Sequence, residues 1–102
     1  MSSYRISLTI GLLRPGVEPA AVLPAAAAAA RERTIVEAYD VAVVRGEARV
    51  TVRFTADHND DALDIARRVR ATVTTLADVS APSLSRRYGA RWHRLVAFAP
   101  SY

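Results

Sequence analysis

Apolar and polar residues alternate in three segments of the chain, which predicts three β-strands. Tyr4–Leu12 carries an apolar residue at every second position until Arg14-Pro15-Gly16 interrupts the pattern. Thr34–Val44 and Glu47–Thr55 are rich in valine and other residues that favour strands. Only Arg45-Gly46 separates them, which is typical of a two-residue hairpin loop. The expected cross-strand pairs on the core face are Val43 with Ala48, Val41 with Val50 and Tyr39 with Val52.

Two further segments have the character of helices. The first opens at Glu18-Pro19 and extends through a run of alanines to about Arg33, and Pro24 is expected to kink or restart it. The second begins after the third strand. The candidates for its N-cap are Asp57, Asn59 and Asp60. Its buried stripe, at helical spacing, is Ala62, Ile65, Ala66, Val69, Val73 and Leu76.

The C-terminal part is predicted to hold a loop and one last strand. Ser80–Ser85 contains three serines and a proline, which favours a loop. Arg91–Ala99 is predicted to be the last strand. Its core-facing residues are expected to be Trp92, Val96 and Phe98. This phase also places Arg94 on the core side, so a bulge or a different phase stays open.

The order β-α-β-β-α-β predicts an α+β fold of the ferredoxin-like type. In this arrangement a four-stranded antiparallel sheet, with strand order 4-1-3-2, carries both helices on one face. The chain, residues 1–102, is expected to form one domain. Its core is predicted to contain Ile6, Leu8, Val50, Val52, Phe54, Ile65, Val69 and Val73. Such a fold hosts many functions and does not by itself assign one.

Composition excludes several classes of protein. The chain has no cysteine, so disulfides and thiolate metal sites are excluded. It has no run of about 18 apolar residues and no signal-peptide pattern, so no membrane span is expected and a cytoplasmic location is predicted. All fourteen basic residues are arginine and twenty residues are alanine. This usage is typical of a GC-rich, bacterial genome, and it weakens any argument from arginine number alone.

The net charge of +4 is concentrated at one end of the chain. Residues 1–85 hold ten arginines and ten acids, whereas residues 86–102 hold four arginines and no acid. Arg86–Arg94 also contains Tyr88, Trp92 and His93. Alternation places further arginines of the first and third strands on the sheet face away from the helices. The candidate anion-binding residues are therefore Arg5, Arg49, Arg53, Arg87, Arg91, His93 and Arg94.

Three interpretations of this basic region stay open. It is the outer side of an edge strand, with Trp92 anchored in the core beneath it. Or it contacts the phosphates of a nucleic acid, without base stacking, because the exposed positions of the first and third strands hold no aromatic residue. Or the protein is a cofactor-independent enzyme of the dimeric α+β barrel type, which a closed apolar pocket around Trp92 or His93 would favour. No catalytic residue, metal or cofactor is predicted.

The outward positions of the second strand form another candidate surface. They are small and apolar, so a second copy of the chain is expected to pack there, sheet to sheet. The predicted interface residues are Val36, Ala38, Ala42 and Val44. The function predicted from the sequence is therefore a small non-enzymatic binding module, homodimeric, with a basic surface for an anionic ligand or partner.

Overall fold

Five antiparallel strands and two helices make up residues 1–95, the part of the chain that the computed structural model describes. The fold is α+β. The strands are β1 (Ser2–Leu13), β2 (Val36–Val44), β3 (Glu47–Ala56), β4 (Ala77–Tyr88) and β5 (Arg91–Arg94), and the helices are α1 (Val22–Arg31) and α2 (Asn59–Thr74).

The strands lie side by side in the order β2-β3-β1-β4-β5. The predicted four-stranded ferredoxin-like sheet is therefore wrong in the number of strands. The strand beside β1 is β4, which covers the segment Ser80–Ser85 that was predicted to be a loop. The strand that begins at Arg91 lies outside it, at the edge of the sheet. Four residues predicted in that last strand lie outside the described residues: Val96, Ala97, Phe98 and Ala99.

The β2–β3 hairpin has the predicted register. Val43 faces Ala48, Val41 faces Val50 and Tyr39 faces Val52. Arg45 and Gly46 form the turn with φ angles of 52° and 81°, the two positive values that a tight hairpin turn of this hand requires. Side chains at these pairs share the face of the sheet on which the helices lie.

Both helices pack on that one face and enclose a single core. All eight predicted core residues belong to it. The residues with no exposed surface include Tyr4, Leu8, Val52, Phe54 and Leu84 from the sheet and Ala26, Ala30, Ala66 and Val69 from the helices. Alanine favours helix formation, and its small side chain lets each helix lie close to the sheet. The alanine-rich segment therefore forms the buried side of α1.

The first helix restarts, as its second proline predicted. A short 3-10 helix over Pro19–Ala21 precedes α1. Pro24 lies in the first turn of α1, where backbone N–H groups have no partner within the helix, so its missing donor costs little.

The second helix begins without the predicted side-chain cap. Its N-cap residue is His58, and no side-chain hydrogen bond caps the helix. The amide oxygen of Asn59 instead accepts hydrogen bonds from the Tyr4 hydroxyl at 2.7 Å and from Arg86 Nη1 at 2.8 Å. Asp60 and Asp61 lie in the first turn, where their charge favours the helix dipole.

A bulge in β4 explains how a proline enters a strand. Ser83 of β4 pairs with Ser7 of β1, and the next pair along the two strands is Ser80 with Thr9. Two residues of β4 thus lie between these pairs, but only one residue of β1. Ala81 and Pro82 are therefore two residues opposite one, and Ala81 has a positive φ of 48°. Proline is tolerated at such a bulge because no ladder hydrogen bond needs its nitrogen. No helix within residues 1–95 is long and apolar enough to cross a membrane.

Candidate functional site

The open face of the sheet, the face that neither helix covers, carries most of the predicted basic residues. Successive residues of a strand point to opposite faces, so the burial of Phe54 in the core fixes Arg53 on the open face. The same alternation along β1, β3, β4 and β5 brings to the open face five of the seven candidates, namely Arg5, Arg49, Arg53, Arg87 and Arg94.

The segment Arg86–Arg94 is a hairpin and not one side of a single strand. β4 ends at Tyr88, Gly89 has a φ of 61°, and β5 returns so that Trp92 faces Arg87. The turn shifts the phase of β5 by one residue relative to the prediction. Trp92 therefore lies on the open face, and its predicted place in the core is wrong.

Arg91 and His93 lie on the other side of β5 and do not join the open face. His93 faces Arg86 across the hairpin, and Arg91 faces Tyr88. Arg94, whose side the sequence left open, donates from Nε to the Ser83 hydroxyl at 3.2 Å on the open face.

Trp92 reaches across β4 to two arginines of the central strands. The guanidinium carbon of Arg5 lies 4.5 Å from the centroid of the Trp92 ring, and that of Arg53 lies 5.4 Å away. Ser85, which pairs with Arg5, is only 9% exposed. Small serines on β4 thus leave room for the indole ring to lie over the sheet. Cation–π attraction of this kind is stronger for tryptophan than for other aromatic side chains.

Arg5 and Arg53 lie directly opposite each other on neighbouring strands. Like charges at such a pair destabilise a sheet. Arg53 has a counter-charge, because its Nε donates to the Glu37 carboxylate at 3.1 Å. Arg5 has the Trp92 ring and, within residues 1–95, no carboxylate partner. Within residues 1–95, the Arg5 charge at the centre of the open face is therefore not in an ion pair.

Glu37 is held ionised beside this pair. The Ser3 hydroxyl donates to Glu37 at 2.6 Å, and this hydrogen bond lowers the pKa of the Glu37 carboxyl below its ordinary value. Partial burial opposes the shift, and Arg53 adds to it. The carboxylate stays charged well into mildly acidic conditions, so Arg53 stays neutralised.

A shallow cavity of about 330 Å³ lies against the Trp92 ring on this face. Its lining residues are Arg5, Ala38, Tyr39, Asp40, Thr51, Arg53 and Trp92. Asp40 is exposed and is the one acid among them. The cavity thus combines an aromatic ring, two guanidinium groups and a carboxylate within one site.

The opposite face of the β4–β5 hairpin holds a different cluster. The Arg86 guanidinium lies 4.9 Å from the Tyr88 ring and 5.6 Å from the Tyr4 ring, and the Tyr88 and His93 rings meet edge to face at 5.2 Å. Burial raises the pKa of the Tyr4 hydroxyl, and the charge of Arg86 partly opposes this. Because Arg86 and Tyr4 also bind Asn59, this cluster ties the hairpin to the start of α2. We assign it a structural role.

The predicted interface on β2 is divided between the two faces. Val36 packs against the core, because a register shift between Val36 and Ala38 changes the phase of the strand. Ala38, Ala42 and Val44 lie on the open face as predicted. The sequence did not indicate that residues of β2 on the helix side stay uncovered: Tyr39, Val41 and Val43 are 44%, 54% and 77% exposed.

An apolar groove of about 550 Å³ lies between these β2 residues and the start of α1. It is lined by Ile10, Gly11, Leu13, Pro19, Ala20, Val22, Leu23, Pro24, Val41, Ala48 and Val50. None of these side chains is an acid, a base or a nucleophile. Neither Trp92 nor His93 belongs to the groove.

Comparison with known proteins does not assign a function. No protein-family model matches the chain, and no curated protein matches it either. The arrangement of the open face is therefore the basis for any functional conclusion.

Proposed function

We propose that this protein is a small binding module whose open sheet face holds an anionic ligand or partner. The observation that carries the proposal is the Arg5–Arg53 pair, in which two cations face each other across neighbouring strands and one of them has no carboxylate partner within residues 1–95. A bound anion relieves this repulsion. Arg87 and Arg94 extend the positive surface on the hairpin side, and Arg49 extends it along β3.

If the open face binds anions, removing a positive charge from that face should weaken the binding. Arg5→Gln should weaken binding of inorganic polyphosphate and of heparin about fivefold at low salt, because one contact of about 1 kcal/mol is lost. The dependence of the binding constant on salt concentration should also become less steep. A titration monitored by the fluorescence anisotropy of a labelled polyanion, carried out at two salt concentrations, measures the binding constant and its salt dependence.

Two variants of β5 provide a matched control. Arg94→Gln changes the open face and Arg91→Gln changes the opposite side of the same short strand, yet both remove one charge. Arg94→Gln should weaken binding, and Arg91→Gln should leave it nearly unchanged. Equal losses for the two would contradict a site on the open face, and an absence of binding at low salt would remove the proposal altogether.

The alternative function, a small-molecule enzyme without a cofactor, receives no support from the two cavities described above. That class would be favoured by a closed apolar pocket around Trp92 or His93. The apolar groove contains neither residue and offers no group for proton transfer or nucleophilic attack. Trp92 lies instead on an open surface beside Arg5 and Arg53, which is not the closed apolar pocket that this class would need.

We further propose that the protein is a homodimer, formed by edge-to-edge pairing of β2 with β2 of a second copy and not by the sheet-to-sheet contact that the sequence predicts. β2 is an edge strand with apolar side chains exposed on both faces, and such an edge readily accepts another strand. A two-fold axis at Val41 sets Tyr39 beside the partner's Val43. It also sets Asp40 opposite the partner's Ala42, so the two aspartates do not face each other.

A charge at the centre of β2 should dissociate this dimer. Val41→Glu places two carboxylates side by side at the axis, and the site is half exposed in the monomer, so the fold should tolerate the change. Light scattering should report a dimer for the wild type and a monomer for Val41→Glu. Ala71→Glu, on the exposed side of α2, adds the same charge elsewhere and should remain dimeric. A wild-type monomer at high micromolar concentration would contradict the proposal.

A further inference from the structure

We propose that the ligand of the open face is a single-stranded nucleic acid, with a base stacked on Trp92. This inference rests on the proposed function of the face as an anion-binding site. It adds a chemical class of ligand, and the structural observation behind it is the indole ring on a surface that is otherwise basic.

The first argument is the position of Trp92. It is the only tryptophan of the chain, and it lies among Arg5, Arg53 and Arg87 and not in the core. A partly exposed aromatic ring between arginines is the arrangement by which proteins bind single strands without regard to sequence, because every base has a face that stacks and every nucleotide has a phosphate. A ligand that carried only charge would make no use of the ring.

The second argument is the exchange that stacking allows. In the unbound protein the guanidinium of Arg5 covers the Trp92 ring at 4.5 Å. When a base takes that position, the guanidinium is released to a neighbouring phosphate. The ring exchanges one planar partner for another, and the positive charge gains the counter-ion that it lacks within residues 1–95.

The third argument is Asp40, which lines the same cavity as Trp92 and Arg5. A carboxylate repels phosphate or sulfate, so it disfavours a simple polyanion at this point. It is, however, an acceptor for the exocyclic amino group of a base. A cavity with a ring, an acceptor and arginines matches a nucleotide better than it matches a phosphate chain.

The exposure of the Trp92 ring favours single strands over duplexes. Thr51, a short side chain, lines the same cavity as Trp92, and its hydroxyl lies 3.1 Å from that of Ser7. A base splayed out of a single strand can enter this cavity and lie on the ring. Bases within a duplex have no free face to present to the ring.

The experiment compares two single-stranded DNA oligomers of about ten nucleotides, one of mixed sequence and one in which every base is absent. They carry the same charge. Anisotropy of an end-labelled oligomer should show that the base-bearing strand binds roughly 5- to 150-fold more tightly, the range expected when one base stacks on an aromatic side chain. Because Trp92 is the only tryptophan, all tryptophan emission reports on this site. A base stacked on the ring should quench the emission strongly, whereas the strand without bases should not.

Variants assign the difference to the site. Trp92→Leu should reduce the preference for bases to near unity, whereas Trp92→Phe, which keeps a ring, should retain much of it. Asp40→Ala should strengthen binding of inorganic polyphosphate while lowering the ratio of affinities for the two oligomers. Far-UV circular dichroism checks that each variant is folded, and the two oligomers on the wild type test the proposal even where a variant fails to fold.

The outcomes separate this inference from the proposed function. If both oligomers and polyphosphate bind with equal affinity and Arg5→Gln weakens all three, the face binds anions but the ligand is not recognised by its bases, and the inference is overturned. If no oligomer and no polyphosphate binds at low salt, the proposed function itself is overturned.

Discussion

A Phe54→Ala variant should lose about 3–5 kcal/mol of unfolding free energy, a large part of the roughly 5–15 kcal/mol that stabilises a typical domain. Phe54 has no exposed surface, lies opposite Tyr4 on the neighbouring strand, and stacks on the Tyr4 ring with 6.0 Å between centroids. Removing the ring leaves a cavity in the layer between sheet and helices. Urea denaturation followed by circular dichroism measures the loss.

The control for Phe54→Ala is Val43→Ala on the same face of the sheet. Val43 is 77% exposed, so its truncation should change the unfolding free energy by less than about 0.5 kcal/mol. A loss below about 1 kcal/mol for Phe54→Ala would mean that the ring is not enclosed, and the orientation of β3 would then be wrong.

A Leu84→Ala variant should lose about 2–5 kcal/mol of unfolding free energy, although Leu84 lies in a segment whose composition predicts a loop. Leu84 has no exposed surface and faces Ile6 in the centre of the sheet. The cost combines the lost transfer free energy of the side chain and the cavity left behind. The same denaturation experiment measures it.

Leu12→Ala makes the identical chemical change at the end of β1, where the side chain is 78% exposed. Its effect should stay below about 0.5 kcal/mol. Similar effects of the two leucine variants would contradict the placement of β4 beside β1, because a leucine in a surface loop contributes little to the core.

Much of the sheet was predictable because its signals are local. The alternation of β3 and the two-residue turn at Arg45-Gly46 fix the register of the β2–β3 hairpin without any knowledge of the rest of the chain. The apolar stripe of α2 fixes which of its sides is buried. In each case the pattern and the residues that form the contacts lie within one short segment of the sequence.

β4 was missed because its evidence lies in other elements. Pro82 and the serines have the composition of a loop. They are compatible with a strand because a bulge accommodates the proline. Neither the bulge nor the position of Trp92 can be read from Ser80–Ser85 itself.

The candidate site was predictable in its residue types but not in its arrangement. Alternation placed Arg5, Arg49 and Arg53 together on one face. It failed for the hairpin, since the turn at Gly89 shifts the phase of β5 by one residue. The large apolar surface of a tryptophan side chain favours burial, which predicts the core for Trp92. The two arginines that stack on Trp92 come from β1 and β3, far away in the sequence, so no local pattern indicates them.

The two edges of the sheet are unequal. At one edge lies β2, a strand of nine residues that exposes the apolar side chains of Tyr39, Val41 and Val43. At the other, within residues 1–95, β5 offers four residues, Arg91–Arg94, three of which are arginine or histidine. Two such short basic strands repel each other, and the proline bulge interrupts β4 behind them.

This inequality limits how far copies of the chain can assemble. Sheets that accept strands at both edges can add copies without end and form fibres, whereas a two-fold contact uses the same edge of both copies. In the proposed dimer the two β2 edges are joined, and the edges left at its two ends are, within residues 1–95, the basic β5 strands. The same β2 strand that accepts a second copy is then no longer open to a third.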